Sequence, residues 1–255
     1  MSKAVLFDLF GTLVHFTAEV PTRETGETGQ KRWKQALRWL EPVVRTHLPE
    51  CSFGTFLDCL LVVTNEIVAS RAPEYREIPS EERFRLALAR LGLDPRRQET
   101  LAPLLAAEHM ANLTKHTEAD AFAVPTLTEL RGKGYRLGVV SNFDSESAAW
   151  QVLERHGLLP HLDAVLISAS FGRRKPHPSI FLAGLARLGA SPREAWFVGD
   201  SYEEDILGAD HVGLPSIWVC SQDPAPSDRD RGVNTGRSRR VQSLAEVLRC
   251  IEQSA

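Results

Sequence analysis

Four short stretches set reactive side chains at the ends of apolar runs. Asp8 closes Val5-Leu6-Phe7 and is followed by Gly11, while Ser141 and Asn142 close Leu137-Gly138-Val139-Val140. Lys175 precedes Pro176-His177-Pro178, and Asp200, Glu203, Glu204 and Asp205 follow Ala195-Trp196-Phe197-Val198-Gly199. A carboxylate beside a glycine meets little backbone obstruction and can act as a covalent nucleophile. Ser141 and Asn142 can donate hydrogen bonds to an oxygen that gains negative charge. Lys175 can offset Asp8 and an anionic substrate. Four carboxylates in six residues suit a hard cation, since Mg²⁺ takes one or two protein carboxylates plus water and phosphate oxygens. Each stretch also has a plain reading: a turn Asp, an ordinary strand-to-helix turn, a solvated Lys, and an acidic helix start that complements the helix dipole.

The elements that must position these groups alternate. Strand-like runs at 4–7, 137–140, 164–167, 195–198 and 216–219 are separated by helix-like stretches at 125–133, 145–156, 178–188 and 204–211. Continuous apolar strands between helices predict a doubly wound, parallel, Rossmann-like α/β sheet. Ligands bind beyond the carboxyl ends of such strands, where the reactive residues collect. Residues 15–115 break the alternation with helical periodicity and no convincing strand: Lys31–Leu48, Phe53–Ser70, Ser80–Leu91 and Pro95–Asn112. Ser80 is expected to cap the third of these helices and Gly92 to end it. The economical reading is a core of residues 1–14 and 116–255 with an all-helical insertion at 15–115. Thr22–Gln30 would be its flexible entry, and Ser221–Arg240 a surface loop before a last helix at 242–253. Trp33 and Trp39 are expected in the core of the insertion, and Arg173 and Arg174 in solvent.

Composition excludes several classes. The 255 residues hold 30 Lys+Arg against 33 Asp+Glu, so no sequence-wide basic field is offered to nucleic acid or anionic membrane. No apolar run approaches the roughly 18 residues of a membrane span. The four cysteines form no CxxC pair and suggest neither a zinc site nor a disulfide framework. The segment enters a strand at once, with no leader-like stretch. The expectation is a cytoplasmic protein without nucleic-acid or membrane partners, monomeric or homodimeric.

The four strand ends, in their order, resemble the four motifs of the haloacid dehalogenase (HAD) superfamily. The motifs are Asp8-Leu9-Phe10-Gly11-Thr12-Leu13, Val140-Ser141-Asn142, Lys175-Pro176 with Ile180-Phe181, and Gly199-Asp200-Ser201 through Asp205-Ile206. The helical insertion sits where that superfamily carries its C1-type cap. The resemblance implies a hydrolase with its site between core and cap. Asp8 is then the nucleophile. Thr12, Ser141, Asn142 and Lys175 bind and stabilise the anionic group, with the backbone at Phe10 and Gly11. Asp8, the Phe10 carbonyl and Asp200 hold Mg²⁺, with Asp205 near the metal or Lys175.

One position departs from that pattern. HAD phosphatases generally carry a second Asp two residues after the nucleophile; here it is Phe10. Phenylalanine transfers no proton, and general acid–base catalysis is typically worth about 10²–10⁴-fold. Three readings follow. A Mg²⁺-dependent phosphatase acting on a small phosphorylated metabolite would manage its protons elsewhere, with His15 the nearest candidate, or use leaving groups such as acyl phosphates that need no acid. A metal-independent 2-haloacid dehalogenase tolerates an aromatic residue there, because halide leaves unprotonated. It would need a cap arginine such as Arg38 or Arg45, and the acidic fourth motif argues against it. A phosphate- or metal-binding regulatory protein is the third reading. The phosphatase is the favoured one.

Overall fold

A computed structural model describes residues 4–17, 37–220 and 237–253. The expected entry at 22–30, Trp33 and most of the expected loop at 221–240 lie outside the described residues. The chain divides into two compact units, residues 1–15 with 118–255, and residues 16–117.

The first unit is built on a six-stranded sheet. Its strands are β1 (Ala4–Phe7), β4 (Arg136–Ser141), β5 (Ala164–Ile167), β6 (Ala195–Gly199), β7 (Ser216–Val219) and β8 (Ser238–Val241), in the order β5-β4-β1-β6-β7-β8. Every pairing in it is parallel. All four residues of β1 are fully buried, as expected of a central strand covered on both faces. One face packs on Ile180, Phe181 and Leu185 from a helix at Pro178–Arg187, joining Leu6, Val140, Leu166 and Phe197 in one cluster. The α/β class read from the sequence is the one observed.

Some local expectations change. Ser238–Val241, read as loop, is the sixth strand; its buried Ser238 and Val241 flank two arginines, so no apolar run announces it. Edge strands commonly carry such charge, which discourages pairing with other chains. The stretch expected as a helix at 204–211 opens instead as a wide π turn over Tyr202–Leu207. Two short strands, β2 (Val14–Phe16) and β3 (Thr117–Ala119), form a separate two-stranded sheet that hydrophobic pattern did not indicate.

The second unit is helical over its described residues: α1 (Glu41–His47), α2 (Phe53–Ala69), α3 (Ser80–Arg90) and α4 (Pro95–Lys115). Its core joins Leu40, Val44, Phe56, Leu60, Phe84, Leu88 and Leu105, with Trp39 packed against it. Phe56 and Phe84 stack with ring centroids 6.5 Å apart. Ser80 does not cap α3: it is the first helical residue, buried, after Pro79 at the cap position. No helix among the described residues is long and apolar enough to cross a membrane.

Candidate active site

The register of β1 sets the site. Phe7 is level with Val139 of β4 on one side and Val198 of β6 on the other. Asp8 therefore leaves the sheet at its centre, its N–H donating to the Val198 carbonyl at 2.8 Å. From β1 the chain builds β4 and β5 to one side, then crosses to β6, β7 and β8 on the other. Such a switch point opens a crevice at the carboxyl ends of the strands.

Lys175 enters this crevice from the segment between β5 and the helix at Pro178–Arg187. Its ammonium donates to Asp8 Oδ1 at 2.6 Å and forms an ion pair with Asp205 Oδ1 at 2.6 Å. Lys175 and Asp205 are each 1% exposed, and Asp8 is 6% exposed. Burial pushes the Asp8 carboxyl up to about 6 and that of Asp205 up to about 7, against the opposing pull of Lys175. Burial opposes the charge of Lys175, but its two carboxylate partners outweigh burial and raise it above its ordinary range. Lys175 thus stays charged, and the carboxylates take up protons more readily than in water.

Asp200 completes a group of three carboxylates, with Asp8 and Asp205, whose oxygens lie within 4.8 Å of one another. Gly11 makes room for it: φ is +98°, and a Cβ there would stand 2.5 Å from Asp200 Oδ2. Gly199 does the same for Asp205, whose carboxylate occupies the space of the missing Cβ. Asp205 Oδ2 accepts from the Ser201 N–H at 2.9 Å, which fixes it over the start of the wide turn. Glu203 is exposed and Glu204 lies 3.4 Å from Arg174, so the two remain outside the carboxylate group.

Thr12 and Ser141 are each 1% exposed, and their hydroxyls have no hydrogen-bond partner among the described residues. Buried hydroxyls left this way suit the oxygens of an incoming anion. Asn142 has a different task. Its side-chain amide donates to the Lys175 carbonyl at 3.0 Å and its Oδ1 accepts from the Lys175 N–H at 2.7 Å. That reciprocal pair fixes the backbone carrying the lysine, a positioning role beside the expected donation to substrate. Phe10 is half-buried, its ring 4.4 Å from that of Phe143. His15 binds Asp120 at 3.2 Å.

Arg174, expected in solvent, has a side chain only 12% exposed. Arg173 contacts His177 at 2.7 Å. Arg38 is exposed and Arg45 pairs with Glu41 on an exposed helix face. Sequence reasoning missed Trp218, whose indole N–H donates to the Asp200 carbonyl at 2.9 Å. The available signal was general: a buried indole N–H needs a partner.

Fold and site together define a doubly wound α/β protein with a lysine-bridged carboxylate group at its switch point. The family model described as haloacid dehalogenase-like hydrolase matches residues 2–213, and the chain belongs to that family of hydrolases. A glyceraldehyde 3-phosphate phosphatase of Methanopyrus kandleri is 30% identical over 233 residues, 90% of either chain. A phosphoserine phosphatase of Thermus thermophilus is 35% identical over 142 residues, 55% of either chain. A 2-haloacid dehalogenase from Pseudomonas syringae aligns over 100% of both chains with TM-score 0.71 and 22% identity, a likeness of fold. A HAD phosphatase from Thermococcus onnurineus covers 98% of this chain and 97% of its own, with TM-score 0.62 and 25% identity.

Proposed function

We propose that the protein is a Mg²⁺-dependent phosphatase of a small phosphorylated metabolite, working through an aspartyl-phosphate on Asp8. One observation carries the reading: Asp8, Asp200 and Asp205 each place an oxygen within 4.8 Å of the others, and the ammonium of Lys175 is shared by two of them, Asp8 and Asp205. At an effective dielectric of about 20, each like-charge pair at that distance costs roughly 3.5 kcal/mol. A divalent cation removes that repulsion, and an all-oxygen donor set suits Mg²⁺. Asp8, Asp200 and the Phe10 carbonyl would hold it, with Asp205 beside them. When bound, the ion offsets the charge of the phosphate.

The chain's own groups account for the rest. Asp8 attacks phosphorus; the new O–P bond forms as the bond to the leaving oxygen breaks. Lys175 stays protonated and orients the attacking carboxylate, while Asn142 holds the Lys175 backbone. Thr12 and Ser141 donate to the phosphoryl oxygens, whereas the Gly11 N–H, expected to join them, is held by the Val14 carbonyl at 2.7 Å. Water then attacks the aspartyl-phosphate at phosphorus and frees Asp8 and phosphate. Phe10 supplies no proton to the leaving oxygen, so acyl and aryl phosphates should outrun alkyl phosphates. The similarity to the glyceraldehyde 3-phosphate and phosphoserine phosphatases supports a small substrate. The reading includes a helical cap at 15–115, a cytoplasmic setting, and a monomer or homodimer without nucleic-acid or membrane partners.

Phe10 favours a second reading, 2-haloacid hydrolysis, in which halide leaves without a proton. One matched assay separates the two, using glyceraldehyde 3-phosphate, phosphoserine, an aryl phosphate, acetyl phosphate and L-2-chloropropionate, each with Mg²⁺ and with EDTA. Phosphate release abolished by EDTA is expected. Chloride release indifferent to EDTA would replace the phosphatase with the dehalogenase.

A further inference from the structure

The carbonyl of Asp200 and the N–H of Ser201 belong to one planar peptide group, and both of its ends are held. The carbonyl accepts from Trp218 Nε1 at 2.9 Å, and the N–H donates to Asp205 Oδ2 at 2.9 Å. Asp205 passes through Lys175 to Asp8. A continuous polar chain therefore runs from the indole on β7 to the Asp8 carboxylate just beyond β1.

We infer that Trp218 is a positioning residue for Asp200, aiming its carboxylate at the cation site. Sheet pairing cannot do this. β6 ends at Gly199, whose Cα partner on β7 is Trp218 itself, so Asp200 is the first residue beyond the ladder. Fixing the orientation of the 200–201 peptide limits ψ of Asp200 and hence the direction of its Cα–Cβ bond. Gly11 limits the same carboxylate by close approach, since a Cβ there would overlap it. The indole is itself immobilised: Trp218 is 4% exposed and packs with Tyr202 and Ile206, the Tyr202 ring centroid lying 5.4 Å away. Tyr202 opens the wide turn that carries Asp205, so one aromatic pair braces two of the three carboxylates. Groups that orient metal ligands typically govern affinity by about 10–100-fold.

The inference rests on the cation reading of the site, and its test keeps the two apart. Mg²⁺ affinity is measured by calorimetry on the full-length wild type, W218F and I206V. W218F keeps an aromatic ring but no N–H; I206V loosens the same cluster and leaves the hydrogen bond. W218F is expected to bind Mg²⁺ at least about tenfold more weakly, while I206V lowers the melting temperature and keeps wild-type affinity. On ¹⁵N-labelled wild type, the Trp218 indole N–H resonance, assigned by elimination among the five tryptophans, should shift with Mg²⁺ along the calorimetric isotherm. If W218F does not fold, that resonance decides. Wild-type affinity in W218F, equal weakening in I206V, or an indole signal unmoved by Mg²⁺ would overturn the inference. A wild type that binds no Mg²⁺ would overturn the cation reading instead.

Discussion

Replacing Gly11 with alanine adds one methyl group where β1 hands the chain to Thr12, and it separates backbone strain from site geometry. At φ +98° an L-residue is strained, by about 1–3 kcal/mol. The new Cβ would stand 2.5 Å from Asp200 Oδ2 and 2.6 Å from its Cγ, where ordinary contact begins at 3.4 Å. The shortfall is about 0.9 Å, and displacements near 1 Å cost on the order of 10²-fold in rate. A carboxylate is the free end of a short side chain, so it swings aside at little further cost in stability. The expected result is a fold weakened by the strain alone, with Mg²⁺ binding and turnover reduced as far as in Asp200→Ala. Gly134 provides the control. Its φ is +82° and a Cβ there meets nothing within 4 Å, so Gly134→Ala pays similar strain and leaves Mg²⁺ affinity alone. Urea denaturation and calorimetry on G11A, G134A, D200A and the G11A/D200A double variant complete the test. The double variant should bind Mg²⁺ no worse than D200A. Wild-type Mg²⁺ affinity in G11A would refute the reasoning, because Asp200 would then not be the ligand packed on that loop.

Four more expectations follow, three from the site and one from the helical unit. Asp8→Asn should reduce phosphate release to background while circular dichroism stays native; surviving turnover would remove Asp8 as nucleophile. Lys175→Met leaves Asp8 and Asp205 buried without their counter-charge and should cost about 3–5 kcal/mol in urea denaturation at pH 8. Both carboxyls already titrate above their usual range, at about 6 and 7, through burial; they neutralise as pH falls, so the penalty should shrink at pH 5. Phe10→Asp should raise hydrolysis of alkyl phosphates by about 10²-fold or more with little gain on acetyl phosphate, and equal change on both would refute the leaving-group argument. His109, buried in the helical unit with Nδ1 accepting from Trp39 Nε1 at 3.3 Å, is pulled down to about 3 by burial and then by the charge of Arg83. The unfolded chain takes up that proton near pH 6.5, so stability is full above pH 6.5 and falls toward pH 3. At about 1.36 kcal/mol per pH unit, the loss approaches roughly 2.7 kcal/mol at pH 4.5. His109→Asn, which keeps an acceptor for Trp39, should flatten that slope in denaturant melts between pH 4.5 and 7.5.

Pattern in the chain reports burial well and partners poorly, and that divides what was legible from what was not. The central strands were visible because a strand covered on both faces must be apolar throughout; β8, at the edge with Arg239 and Arg240, had no such obligation. The chemistry-bearing residues were visible because they close or follow the apolar strand runs in the order of the four motifs, not through any sign of burial; Asp8, Lys175 and Asp205 all end up buried, the two carboxylates paired through the lysine. Their supporting contacts were not visible, although Asn142 itself was expected as an anion donor. Asn142 binds a backbone 33 positions away, and Trp218 binds one 18 positions away; neither spacing leaves a periodic trace. The run Asp200, Glu203, Glu204, Asp205 makes the point at finest grain. Composition treats its four acids as equals, yet Glu203 faces solvent and Asp205 is buried over Ser201. The wide turn at Tyr202–Leu207 carries that difference, and such turns are frequent at functional sites. Here it folds Asp205 back to accept the Ser201 N–H, which ties Lys175, Asp8 and the Asp200 peptide into one unit.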